Sequence, residues 1–127
     1  MTAPSAIRIV IAEPHLRVRG LLAALMAAEG DVRVVAQTAG ARDTLAAIEE
    51  LRPDVVLLDE DLAHPDSIAA LKSAKEQDEI KIVVLATYPE RCLQVLASGA
   101  SDCVLKDSGI ERLLDAIRRA FFEHPPS

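Results

Sequence analysis

Five short apolar runs, each followed by a stretch whose apolar residues recur at helical spacing, leave this chain few folds to choose from. The runs fall at residues 7–12, 32–36, 55–58, 80–85 and 103–105, and each is too short and too rich in Val, Ile and Leu to be anything but a buried strand. Between them, Val18, Leu21, Leu22, Leu25 and Met26 mark a first helix, and Ala41, Leu45 and Ile48 a second that Arg52-Pro53 stops. Ile68, Leu71 and Ala74 mark a third, Cys92, Val95 and Leu96 a fourth, and Ile110, Leu113, Leu114, Ile117 and Phe121 a fifth. Five βα units in succession predict a parallel sheet with helices on both faces, because each right-handed crossover returns the chain to the same edge.

Punctuation supports the same division. Pro14 falls where the first helix should begin, and Gly30-Asp31 closes it. Pro65-Asp66-Ser67 offers a cap for the third helix, and residues 75–79 form a polar loop. Thr87-Tyr88-Pro89-Glu90 and Ser108-Gly109-Ile110-Glu111 have the form of capping boxes, with Thr87 the N-cap of the fourth helix and Gly99 its end. His124-Pro125-Pro126-Ser127 reads as the start of a linker, so the domain is expected over 1–122 and a tail over 123–127.

Composition narrows the functions. A chain of 127 residues that is 50% hydrophobic supports one core, and with aromatics at 2% that core must be aliphatic. The net charge of −6, with 14 scattered Lys and Arg, argues against nucleic-acid binding by this chain itself. No run approaches the roughly 18 apolar residues of a membrane helix, and residues 1–6 carry no secretory signal, so a reducing cytoplasm is expected. Cys92 and Cys103 lack metal-ligand spacing; Cys103 reads as a small core hydrophobe, with a partly exposed, redox-active thiol as the second reading.

The third run, Val55-Val56-Leu57-Leu58, ends in Asp59-Glu60-Asp61. In open parallel sheets the carboxyl edge of the strands is where ligands bind. Strands 1, 3, 4 and 5 would bring Glu13, Asp59, Ala86-Thr87 and Lys106 to that edge, a set of two carboxylates, a hydroxyl and an ammonium suited to an anion or a metal. A dinucleotide or flavin site would need a glycine-rich first loop, where this chain has Pro14, and the cobalamin pattern Asp-x-His-x-x-Gly fails at Val18, which leaves His15 as a surface histidine. An enzyme is therefore not expected.

The phrases Ile-Val-Ile-Ala-Glu-Pro-His, Arg-Pro-Asp-Val-Val-Leu-Leu-Asp, Gly-Ala-Ser-Asp and Val-Leu-Lys-Asp resemble the receiver domain of bacterial response regulators, over about Ile7 to Phe121. With Asp107 rather than proline after Lys106, the chain is most similar to the subgroup that precedes a LuxR-type helix-turn-helix. The resemblance implies a flavodoxin-like doubly wound sheet of order 2-1-3-4-5, a fold for which a chemotaxis receiver is a standard example. It also implies that Asp59 is the position that accepts a phosphoryl group from a histidine kinase, that Lys106 pairs with the phosphoryl oxygens, and that the Asp61 carbonyl is a backbone metal ligand.

Several positions depart from that pattern. Receivers place two adjacent acids after strand 1, where this chain has Glu13 and Pro14, so a Mg²⁺ site built from Glu13, Asp59 and Asp61 is expected to be weak or lost. The switch hydroxyl after strand 4 is replaced by Ala86, the switch aromatic on strand 5 by Cys103, and Thr87 stands one position away from the hydroxyl's place. The expectation is an atypical receiver: an interaction module, largely independent of phosphorylation, regulating transcription through an attached or partner DNA-binding domain that would follow Ser127. The alternative is a conventional receiver phosphorylated on Asp59 with Mg²⁺. A homodimer is expected through the fifth helix, with Phe122 off the inward stripe and Asp115, Arg118, Arg17 and Arg19 as charged flanks that set register.

Overall fold

The computed structural model describes residues 6–74 and 80–123. Five strands, β1 (Ile7–Ala12), β2 (Val32–Thr38), β3 (Val55–Asp59), β4 (Lys81–Ala86) and β5 (Asp102–Leu105), form one parallel sheet of order β2-β1-β3-β4-β5. They alternate with helices α1 (Leu16–Ala27), α2 (Ala41–Leu51), α3 (Pro65–Ser73), α4 (Pro89–Ala97) and α5 (Ile110–Phe122). This is the doubly wound, flavodoxin-like arrangement. The expected loop at 75–79 and the tail beyond Glu123 lie outside the described residues.

The period-2 alternation of side chains divides the core in two. Ile7, Ile9 and Ile11 of β1, with Val55, Leu57, Val83, Leu85 and Val104, point toward α1 and α5. Val10, Val56, Leu58, Ile82, Val84, Ala86 and Cys103 point toward α2, α3 and α4. All five residues of β3 are buried, as the central strand of a sheet covered on both faces requires. Each buried Leu or Ile contributes about 1.5–3 kcal/mol relative to exposure, so Asp59 ends a firmly anchored strand.

The start of each helix differs from the capping boxes expected. The residue before a proline is pushed out of the helical region, so Tyr88 is extended (φ −124°, ψ 145°), Pro89 becomes the first helical residue, and Thr87 is left outside the cap position. At α5 the cap position belongs to Gly109, at φ 90°, a conformation glycine tolerates without strain, and Ser108 makes no cap bond. Pro14 stands two residues ahead of α1, whose cap is His15, and His64, extended before Pro65, takes the place expected of Asp66 or Ser67 at α3.

Two further expectations change on the α1 and α5 side. Of the apolar stripe on α1 only Met26 is fully buried, while Leu21 is 60% exposed and Val18 and Leu25 are also open. Two helices cannot cover five strands, and these side chains line a groove together with Leu85, Lys106, Ile110 and Leu113. The charged flanks assigned to register are partly committed within the chain. Arg118 makes paired hydrogen bonds of 2.7 and 2.9 Å to Asp31 and one of 3.0 Å to Glu29, and Arg19 donates to the Glu13 carbonyl. On the outer surface of α5, Phe122 is 66% exposed and meets Phe121 edge-on.

Candidate functional site

The sheet delivers its acids to the carboxyl edge by register alone. Glu13 follows the last residue of β1 and its backbone N–H donates to Thr38, while Asp59 ends β3; both are 1% exposed. Lys106 follows the last residue of β5 and brings its ammonium 2.7 Å from Asp59 Oδ1, in an ion pair whose approach is not that of a directed hydrogen bond. Asp59 Oδ2 accepts from the Asp61 N–H at 2.9 Å, which tightens residues 60–62 into a 3-10 turn directly after the strand.

The second carboxyl is held from a side that the sequence did not suggest. His15 Nδ1 lies 2.7 Å from Glu13 Oε1, and the His15 backbone N–H also reaches that oxygen at 3.3 Å. His15 thus joins the pocket, although its ring is mostly exposed as a surface histidine should be. Glu13 Oε2 has no hydrogen-bond partner among the described residues.

The electrostatics shift the two acids in opposite directions. Burial raises the Glu13 carboxyl above the ordinary range and contact with Asp59 raises it further, against the opposing pull of His15. Burial acts in the same direction on Asp59, but contacts with Glu13, Lys106 and the Asp61 N–H outweigh it and hold Asp59 below the usual carboxylate range. Burial pulls the Lys106 ammonium down, and Asp59 chiefly, with Glu13 and Glu60, more than restores it. The pocket therefore sets an aspartate whose ionised form is favoured between a lysine and a glutamate whose hold on a proton is strengthened.

Ala86 is fully buried at the end of β4 and Cys103 lies in the core on the same side of the sheet. Thr87 is exposed, and its backbone N–H donates to Glu60 Oε2 at 2.7 Å. Arg91, which sequence reasoning passed over, reaches from α4 to the carbonyls of Glu60 and Ala63 at 3.1 and 3.2 Å and ties the loop after β3 to that helix. No local pattern announces such a contact across 31 and 28 residues. Cys103 is not a free thiol: it is disulfide-bonded to Cys92. That corrects the reading of a lone core sulfur, since α4 runs back along β5 and sets the two residues side by side.

A parallel 2-1-3-4-5 sheet carrying an acidic pair and a lysine at the carboxyl edge of its strands is the architecture of a receiver. Residues 9–118 match the model of the response regulator receiver domain, and the chain belongs to that family. It is 37% identical over 110 residues to the uncharacterized transcriptional regulatory protein YhcZ of Bacillus subtilis, covering 84% of this chain and 51% of that one. It is 32% identical over 117 residues to the transcriptional regulatory protein LiaR of the same organism, covering 90% and 56%. The chain thus spans about half the length of these curated relatives. Among solved structures, a DNA-binding response regulator of the LuxR family from Staphylococcus aureus superposes with a TM-score of 0.78 at 26% identity, covering 91% of this chain and 98% of that one.

Proposed function

We propose that this receiver regulates transcription through an attached or partner DNA-binding domain, and that phosphorylation of Asp59 is not its main input. The observation that carries the proposal is the internal neutralisation of the pocket. Lys106 already supplies the counter-charge that an isolated Asp59 would draw from a metal ion, and the contact with Glu13 holds the Asp59 carboxyl lower still. Relatives that are transcriptional regulators by name support the output half. Membership of the receiver family supports a cytoplasmic placement of the domain, and no helix among the described residues is long and apolar enough to cross a membrane.

Mg²⁺ does not fit the donors well. It demands near-octahedral oxygen ligands at short distance, whereas Pro14 has no side-chain oxygen, Glu13 Oε1 is held by His15, and the two Asp59 oxygens are engaged by Lys106 and the Asp61 N–H. The Asp61 carbonyl alone does not make a site. The uncommitted Glu13 Oε2 is the one observation favouring the second reading, a conventional switch phosphorylated by a histidine kinase. The surface of α5 around Phe122, beside the open apolar face of α1, supports a homodimer through this side of the molecule. Asp59→Asn tests the proposal: oligomeric state by sedimentation and output in a reporter assay should match wild type, and loss of either would favour the conventional switch.

A further inference from the structure

The bond between Cys92 and Cys103 takes no part in the pocket chemistry described above, yet it joins α4 covalently to β5. The Cα atoms lie 5.3 Å apart, within the range of about 4.4–6.8 Å that an unforced crosslink spans. Cys103 is nearly enclosed and Cys92 is half-buried, and both border a surface cleft with Pro89, Ser108 and Arg112. Cys92 is thus the more exposed of the two residues to a small thiol entering that cleft. Arg112 lies beside the path, and a nearby guanidinium favours the thiolate form of a departing sulfur.

Little else fixes α4. Val95 is its one fully buried residue, and Arg91 ties its first turn to the loop after β3. Its outer surface presents Tyr88, Leu93 and Leu96 to solvent. In a reducing compartment persistent disulfides are rare, and those that form are transient, catalytic or redox-sensing.

Resting on the cytoplasmic placement proposed above, we propose that Cys92 and Cys103 form a reversible thiol–disulfide site through which a cellular dithiol sets how firmly α4 is held against β5, and so how its apolar outer face is presented. A thiolate of the dithiol attacks Cys92 Sγ, the Cys92–Cys103 bond breaks, and Cys103 leaves as a thiolate that takes up a proton. The second thiol of the dithiol then attacks the mixed disulfide, releasing Cys92 and closing the dithiol into its own disulfide. Two electrons and two protons pass to the cysteine pair, and a small disulfide such as oxidised glutathione drives the reverse.

The test equilibrates the purified protein in buffers of graded glutathione ratio, traps thiols with N-ethylmaleimide, and counts adducts by intact mass alongside hydrogen exchange. The expected result is a passage from no adducts to two as the buffer becomes reducing, with the amides of α4 after Pro89 and those of β5 exchanging about tenfold faster in the reduced form and those of β1 unchanged. Cys92→Ala, which keeps the enclosed Cys103, should show exchange that no longer responds to the buffer. Two adducts at every ratio, none at any ratio, or identical exchange in both forms would overturn the proposal. The same series in Asp59→Asn should respond as wild type. Phosphorylation of Asp59 would count against the function proposed above without altering the adduct counts, so the two failures are separable.

Discussion

The Lys106 ammonium sits 2.7 Å from Asp59 Oδ1 while the Asp59 side chain is wholly shielded from solvent, so the aspartate has its counter-charge in place before any ligand arrives. Removing one member of such a pair leaves the other buried without compensation. For a fully buried pair that costs about 3–5 kcal/mol; with Lys106 37% exposed, Lys106→Ala should lower stability by about 1–3 kcal/mol in urea denaturation. Adding Asp59→Asn should restore much of the loss, and additive single effects would show that the contact carries little energy.

Glu13 gives a pH prediction with the reverse of the usual carboxylate sign. Its folded-state pKa is raised by burial and by Asp59, so its protonated form is the one that folding favours. That contribution is present below the unfolded pKa and is lost as pH rises through the folded one. Glu13→Gln, which keeps an N–H for Asp59 and removes the titration, should therefore stabilise the fold by about 1 kcal/mol at pH 8 and change it little at pH 4. Equal effects at both pH values would argue against the shared proton.

Asp31 behaves in the ordinary way. Its hydrogen bonds with Arg118 hold its carboxyl below the usual range, so the stability it contributes is present above the unfolded pKa and is lost as pH falls through the lower folded value. The pair lies near the surface and is screened, so its contribution should be about 0.2–1 kcal/mol, seen as a shallower acid limb in thermal melts of Arg118→Gln between pH 5 and pH 2. An unchanged limb would remove Arg118 from the account of acid stability.

Self-association should depend on Phe122, which stands 66% exposed on the outer surface of α5. Phe122→Ala should weaken the dimer about tenfold or more in sedimentation velocity while leaving the melting temperature nearly unchanged. A monomer at high micromolar concentration in both proteins would exclude this face.

The five strands and the gathering of Glu13, Asp59 and Lys106 at one edge were legible because each depends on a local apolar run and what ends it, whereas the strand order came from the resemblance to receivers. Contacts that depend on how one element lies across another were not. The sequence separation of 11 between Cys92 and Cys103 means nothing until α4 turns back along β5, and Arg91, Arg118 and Lys72, which reaches the Gly99 carbonyl, act across long sequence separations. The capping boxes failed for local reasons: Pro89 acting on Tyr88 displaced Thr87 from the cap of α4, and Gly109 took the cap of α5 in place of Ser108. The stripe on α1 was misplaced because spacing marks a face without saying whether anything covers it.

Phosphoryl transfer to a carboxylate depends on positioning and on cations that neutralise the transferring oxygens. Here a proline stands at one carboxylate position, Ala86 at the hydroxyl position, and Asp59 is already paired. The most direct measurement is intact-protein mass spectrometry of the oxidised and reduced protein after incubation with acetyl phosphate and millimolar Mg²⁺. Little modified protein in either form, with Asp59→Asn indistinguishable from wild type, is the predicted result; stoichiometric, Mg²⁺-dependent phosphorylation of Asp59 that shifts the oligomeric state would contradict it.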